Sequence, residues 1–260
     1  MLILLKTMHR EANEIEQQKR IQLRQLQTLV ISMLRSPDRR QRASEELAKT
    51  TIDWQFLDAV DGKLLEFPIP EYDAKKVEKL LGFGLMPGEI GAFLSHKKAW
   101  QACVDQNKTT LIFEDDFILF PQFEKTIDYL LNEYTQWNLV RLQALEDSPF
   151  SVIKEVGDWV IAENQIDALG CTAYLVKPAA AQRLIDGARF IYEPIDHYIE
   201  HKGVHGLSFL AVRPYPSDIS QTPTTVYRPD RAPTRGWKKM CRSVHRWMDR
   251  TFSPHPWFPR

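Results

Sequence analysis

TTLIFEDDFILFP, residues 109–121, is the stretch on which the reading of the fold turns. Leu111, Ile112 and Phe113 run directly into Glu114, Asp115 and Asp116, and Phe117 to Phe120 and Pro121 follow. An apolar run this short, rich in β-branched and aromatic residues, reads as a buried strand. Three adjacent carboxylates at its C-terminal end repel one another and lose hydration. A divalent cation removes that cost, because hard oxygen ligands suit Mg²⁺ and Mn²⁺. In open α/β sheets, ligands also gather at the carboxyl ends of strands. A solvated strand end or a helix cap gives the same three letters, so the triplet alone leaves both readings open.

Upstream, TLVISM (28–33) reads as a first strand. Ser36-Pro37-Asp38 then opens a helix, with Ser as N-cap, Pro in the first turn and an acid beside it. WQFLDAV (54–60) is a second strand that ends at the turn Asp61-Gly62. Arg35, Arg39 and Arg40 follow the first strand, where they suit either a solvated helix face or phosphate contact. A short helix is expected near 72–81. Pro87-Gly88 breaks the chain before a long helix from Glu89 to about Asn107. Ile90, Phe93, Leu94, Trp100, Cys103 and Val104 lie on one arc of that helix, with His96 and Lys97 in or beside it.

Downstream, Pro121 begins a helix ending near Tyr134. NLVRLQAL (138–145) is a strand leading to Glu146-Asp147, which the following Ser148-Pro149 also lets read as a turn. Short strands and a loop fill 151–168. CTAYLV (171–176) is a strand, and a helix runs from Pro178 to Gly187. Pro194 opens a short helix with Asp196 and His197 in its first turn, where an acid favours the helix dipole. His197 and His201 are four residues apart but lack the HExxH pattern, which weakens a metal reading. LSFLAV (207–212) is a last strand before a Pro-rich loop. The alternation predicts an α/β domain with a mostly parallel central sheet flanked by helices. No GxGxxG follows the first strand and no GxxxxGKS occurs, which argues against nicotinamide dehydrogenases and P-loop enzymes.

The totals narrow the class. The formal net charge is zero over 260 residues, so the whole chain favours no polyanion. Cys103, Cys171 and Cys241 form no CxxC pair, and a reducing compartment is expected. MLILLK is too short for a signal-peptide core, and no window reaches the roughly 18 uncharged apolar residues of a membrane span. The expectation is a cytoplasmic protein in three parts: a helical extension (1–26), a globular α/β domain (27–226) and a basic tail (227–260). That tail carries nine Lys/Arg against two Asp/Glu, with Trp237, Met240, Val244 and Trp247 on a helical stripe. Such a pattern suits either docking on its own domain or a peripheral place at an anionic membrane face. No accompanying motif supports nucleic acid.

Taken together, SPDRR (36–40), AVDG (59–62), PGEIGAFLSHKKAW (87–100), LIFEDDF (111–117), GCTAYLV (170–176) and PIDHYI (194–199) resemble glycosyltransferase family 25. This is the family of bacterial lipooligosaccharide galactosyl- and glucosyltransferases and of the collagen galactosyltransferase domain. The resemblance covers about residues 28–222; it departs at ISMLRS, where the family usually reads close to INLDRS. It implies a GT-A-type fold and an inverting transfer from a UDP-hexose to a lipid-linked oligosaccharide, with Mn²⁺ or Mg²⁺. Asp116 and Asp115 are then metal ligands, with Glu114 helping at the donor. Asp196 is the first candidate for a second acidic role, as base or further metal contact, with Glu146 and Asp147 as alternatives. Ser95 and His96 border the donor or acceptor, and Arg35 and Arg39 face the diphosphate. In an extended strand Glu114 and Asp116 point to one side and Asp115 to the other. A protein on the same fold that binds nucleotide sugar or glycan without turnover is the alternative.

Overall fold

A computed structural model describes residues 26–220. Ten strands are formed: β1 (Gln27–Ser32), β2 (Gln55–Asp58), β3 (Thr110–Glu114), β4 (Phe117–Leu119), β5 (Leu139–Arg141), β6 (Phe150–Val156), β7 (Trp159–Asn164), β8 (Ala173–Val176), β9 (Phe209–Arg213) and β10 (Ser217–Ile219). The α-helices are α1 (Pro37–Leu47), α2 (Ala74–Leu81), α3 (Pro87–Gln106), α4 (Phe123–Asn132), α5 (Pro178–Gly187), α6 (Ile195–Tyr198) and α7 (Lys202–His205).

Eight strands form one sheet in the order β2-β1-β3-β8-β5-β9-β7-β6. Six of them run one way, and β7 and β8 run against them. The sheet is therefore mostly parallel in strand direction, but its ladders are mixed. Only β1–β2, β1–β3 and β5–β9 are parallel pairs, because β8 inserts between β3 and β5. The β6–β7 pair is a hairpin turned at Gly157, whose φ of 62° suits a residue without Cβ.

The central strands are apolar on both faces, which is why LIF reads as an unbroken run. Leu29, Ile112 and Tyr174 pack under α2, α3 and α5, whereas Val30, Phe113 and Leu175 pack against α1 and α4. Both covers are needed, since each face of a buried sheet must leave water.

Three local expectations change. Pro87 does not break the chain; it occupies the first turn of α3, where a missing N–H is harmless. Ser36 precedes α1 but its hydroxyl makes no capping bond; Pro37 fixes the first turn instead. The segment after the acids forms β4, which pairs with β10 inside the stretch expected to be a Pro-rich loop. The expected helical extension and the basic tail lie outside the described residues. Among the described residues, no helix is long and apolar enough to cross a membrane.

Candidate functional site

A cleft of about 290 Å³ opens where β1 and β3 end. Its walls come from the loop after β1, the 59–63 loop after β2, the first turns of α3 and the three acids. Two glycines let these walls meet. A Cβ on Gly62 would lie 2.1 Å from the Pro87 carbonyl oxygen, and one on Gly91 would lie 2.7 Å from that of Val60. The AVDG and PGEIG motifs are thus two halves of one backbone contact. Ser95, buried on α3, locks it: its hydroxyl accepts from the Val60 N–H at 2.8 Å and donates to Gly91 O at 2.7 Å. Ser95 lines the cleft, but its hydroxyl is used within the fold.

The acids do not form one cage. Strand geometry ends at Glu114, and Asp115 and Asp116 sit in the turn that follows, so the expected alternation stops there. Asp115 and Asp116 both meet Arg39 of α1. Its Nε donates to Asp115 Oδ1 at 2.6 Å and its Nη2 to Asp116 Oδ2 at 2.8 Å. Ser32, the last residue of β1, donates to the other Asp115 oxygen at 2.5 Å. Arg39 is buried but still lines the cleft, with its guanidinium shared between the two acids. Arg35 is half-exposed at the rim and pairs with Asp61.

Asp116 is the strained member. Its Oδ1 is buried and has no hydrogen-bond partner among the described residues. Burial, then the charge of Glu114, pushes this carboxyl up to about 6 despite Arg39. A carboxylate oxygen left over in this way is what a hard cation would engage, so Asp116 fits the Mn²⁺ or Mg²⁺ reading. Asp115, with both oxygens committed to Arg39 and Ser32, offers such an ion less.

Glu114 turns to the other face of β3, toward α3. His96 Nε2 lies 3.2 Å from its Oε1, while Thr172 donates to Oε2 at 3.2 Å. Cys171 Sγ lies 3.7 Å from Glu114 Oε1 and 3.6 Å from His96 Nε2. The other ring nitrogen of His96 is 2.8 Å from the Tyr174 hydroxyl, which also accepts from Trp100 at 2.9 Å. Burial alone would raise the Glu114 carboxyl, but hydrogen bonding and charge from His96, with Thr172 and Cys171, hold it below its ordinary range. Cys171, Thr172 and Tyr174 were not singled out from the sequence, although the GCTAYLV motif contains them.

The remaining candidates are spread out. Asp196 is half-buried at the start of α6, where its carboxylate accepts from the His197 N–H at 3.0 Å. Its charge acts on the Cys171 thiol, which burial and the carboxylates of Glu114 and Asp196 push well up. Asp196 is thus within electrostatic reach of Cys171 but does not line the cleft. Glu146 instead borders a second hollow with Ile166, Asp167 and His197. Asp147 is exposed and pairs with Arg213. His201 turns to Glu193 at 2.7 Å, so it does not join His197 as a metal pair.

Comparison with known proteins places this geometry in context. A family model described as "Glycosyltransferase family 25 (LPS biosynthesis protein)" matches residues 25–199. Procollagen galactosyltransferase 2 from Homo sapiens is 30% identical over 188 residues, covering 65% of this chain and 29% of that protein. A relative from Bos taurus, "Probable inactive glycosyltransferase 25 family member 3", is 28% identical over 179 residues, covering 61% and 28%. The chain thus spans about three-tenths of the length of these relatives. A solved glycosyltransferase involved in glycosylation of the major capsid of PBCV-1 aligns with a TM-score of 0.38 and 7% identity, over 72% of this chain and 81% of that one.

Proposed function

The chain belongs to glycosyltransferase family 25, and on that premise we propose that it transfers a hexose, galactose or glucose, from a UDP-sugar to the oligosaccharide of a lipid-linked surface glycan. The observation that carries this reading is the buried, unpartnered Oδ1 of Asp116 in the lining of a cleft whose rim holds Arg35 and Lys63. Cationic side chains at the mouth suit a diphosphate, and a spare carboxylate oxygen suits the ion that accompanies one.

The roles follow from placement. Asp116 would hold Mn²⁺ or Mg²⁺, with Asp115 kept in position by Arg39 and Ser32. When bound, such an ion neutralises the charge that develops on a departing diphosphate. Arg35 and Lys63 bind the diphosphate side of the donor, and His96 and Glu114 border the sugar. Asp196 accepts the proton of the acceptor hydroxyl as that oxygen attacks the anomeric carbon. The bond from sugar to phosphate breaks, UDP leaves, and the anomeric centre inverts. Glu146, across the second hollow beside His197, is the alternative carboxylate for the acceptor side.

The acceptor class draws support from the family description, which names lipopolysaccharide biosynthesis. A cytoplasmic enzyme held at the inner membrane face by its basic tail is consistent with that acceptor. A second reading, a protein that binds nucleotide sugar or glycan without turnover, has two observations in its favour. Both Asp115 oxygens are already engaged, and the Bos taurus relative is one of several whose names carry the word inactive.

One assay separates them. UDP release is measured with UDP-galactose or UDP-glucose, Mn²⁺ and a truncated lipooligosaccharide acceptor. The proposal expects acceptor-dependent release that Asp116→Asn lowers at least about a hundredfold, the scale of losing one electrostatic stabiliser of the transition state. Donor binding without release on any acceptor supports the silent reading.

A further inference from the structure

Along one wall of the cleft lies a second group of side chains whose chemistry differs from that of Asp115 and Asp116. Among the described residues, His96, Glu114 and Cys171 are the one set of three His, Cys, Asp or Glu side chains that converge on a point. They come from α3, the end of β3 and the residue two before β8, so tertiary structure brings them together. Their ligand atoms form a triangle with edges of 3.6 Å (S to Nε2), 3.2 Å (Nε2 to Oε1) and 3.7 Å (S to Oε1). For a tetrahedral zinc with ordinary bond lengths, those edges are about 3.6, about 3.4 and about 3.6 Å. The triangle is one face of a zinc tetrahedron.

We propose that His96 Nε2, Glu114 Oε1 and Cys171 Sγ bind a soft divalent cation of the zinc class, at a site separate from the hard-cation position at Asp116. A thiolate and an imidazole select zinc over magnesium or manganese. The supporting contacts suit ligation. The hydroxyl of Tyr174, itself held by Trp100, fixes the His96 ring from its Nδ1 side, as the outer partner of a metal-bound histidine does. Thr172 occupies Glu114 Oε2 and leaves Oε1 aimed at the other two ligands. The backbone leading to Cys171 is held by buried Arg141, whose Nη1 donates to the Gly170 carbonyl at 2.5 Å. His96 and Glu114 both line the cleft, so the fourth position faces it and takes water or a ligand atom. On binding, the Cys171 S–H bond breaks, sulfur keeps the electron pair for the metal, and the proton goes to solvent. With a cation there, Glu114 and the thiolate are neutralised together.

The test uses the full chain, freed of metal by chelation and titrated with Co²⁺, a spectroscopic stand-in for zinc. The proposal expects one equivalent to give tetrahedral ligand-field bands and a near-ultraviolet thiolate-to-cobalt band, with Zn²⁺ displacing the Co²⁺. Cys171→Ser removes the thiolate band and weakens binding at least about tenfold, a loss at least as large as that seen for outer partners. Asp116→Asn, Cys103→Ser and Cys241→Ser keep both. Circular dichroism confirms that each variant is folded. Should Cys171→Ser fold poorly, mass spectrometry of the wild-type chain reads the same site: Zn²⁺ must protect Cys171 from alkylation while Mg²⁺ does not. A thiolate band that survives in Cys171→Ser, a band that vanishes in Cys241→Ser instead, no band at all, or no protection by Zn²⁺ overturns the assignment. The readout is cation binding, so it stands or falls apart from transfer.

Discussion

Asp116 and Arg39 carry the electrostatics of the cleft. The Asp116 carboxyl titrates near 6, above its ordinary 3.8, so the folded chain holds that proton more tightly than the unfolded chain does. Its stabilising contribution is present below the ordinary carboxylate range and is lost as pH rises through about 6. Asp116→Asn should therefore raise metal-free stability at pH 7 on the order of 2 kcal/mol, and the gain should vanish below about pH 4. Thermal melts across that range check it. Protons compete with the cation for the same oxygen, so Mn²⁺ affinity should fall below about pH 6 in the wild type. Arg39→Met removes the partner of two buried acids and should cost about 3–5 kcal/mol. Millimolar Mn²⁺ should raise its melting temperature more than that of the wild type, because the ion replaces part of the lost charge.

At the scale of elements, the contact between α3 and the 59–63 loop sets the shape of the cleft. Gly91→Ala places a methyl 2.7 Å from Val60 O and 2.9 Å from Gly62 N, both backbone atoms. Overpacking of this kind typically costs about 1–3 kcal/mol, so a melting temperature lower by about 3–8 °C is expected, with weaker UDP binding. Most elements could be read from the chain because each carries its own period or punctuation. The apolar β3, the arc of α3 and the Pro at the start of α5 are local signals. β4 and β10 were not legible, since each has three residues and exists by pairing with the other. The same limit applied at the site. The EDD triplet announced itself, but its division did not: Glu114 toward His96, and Asp115 and Asp116 toward Arg39, follow from where β3 stops. Arg39 shows only a charge in the sequence; that Asp115 and Asp116 share it follows from the tertiary structure. Cys171 gave no signal, being a lone cysteine in an apolar strand motif until His96 and Glu114 come beside it.

For the whole molecule, the described fold and the basic tail have separable duties in the proposed function. Deleting 227–260 should leave UDP and cation binding unchanged while reducing cosedimentation with anionic vesicles, and more so at low salt. Equal binding to such vesicles would remove the membrane proposal and leave the cleft untouched. The central claim concerns the cleft: an acid at the end of β3 holds a cation, and through it a sugar nucleotide. Calorimetric titration of the full chain with UDP tests it most directly, in Mn²⁺ and in EDTA, for wild type and Asp116→Asn. The account predicts binding in Mn²⁺ that is lost both in EDTA and in the variant; equal UDP affinity in all of these conditions would contradict it.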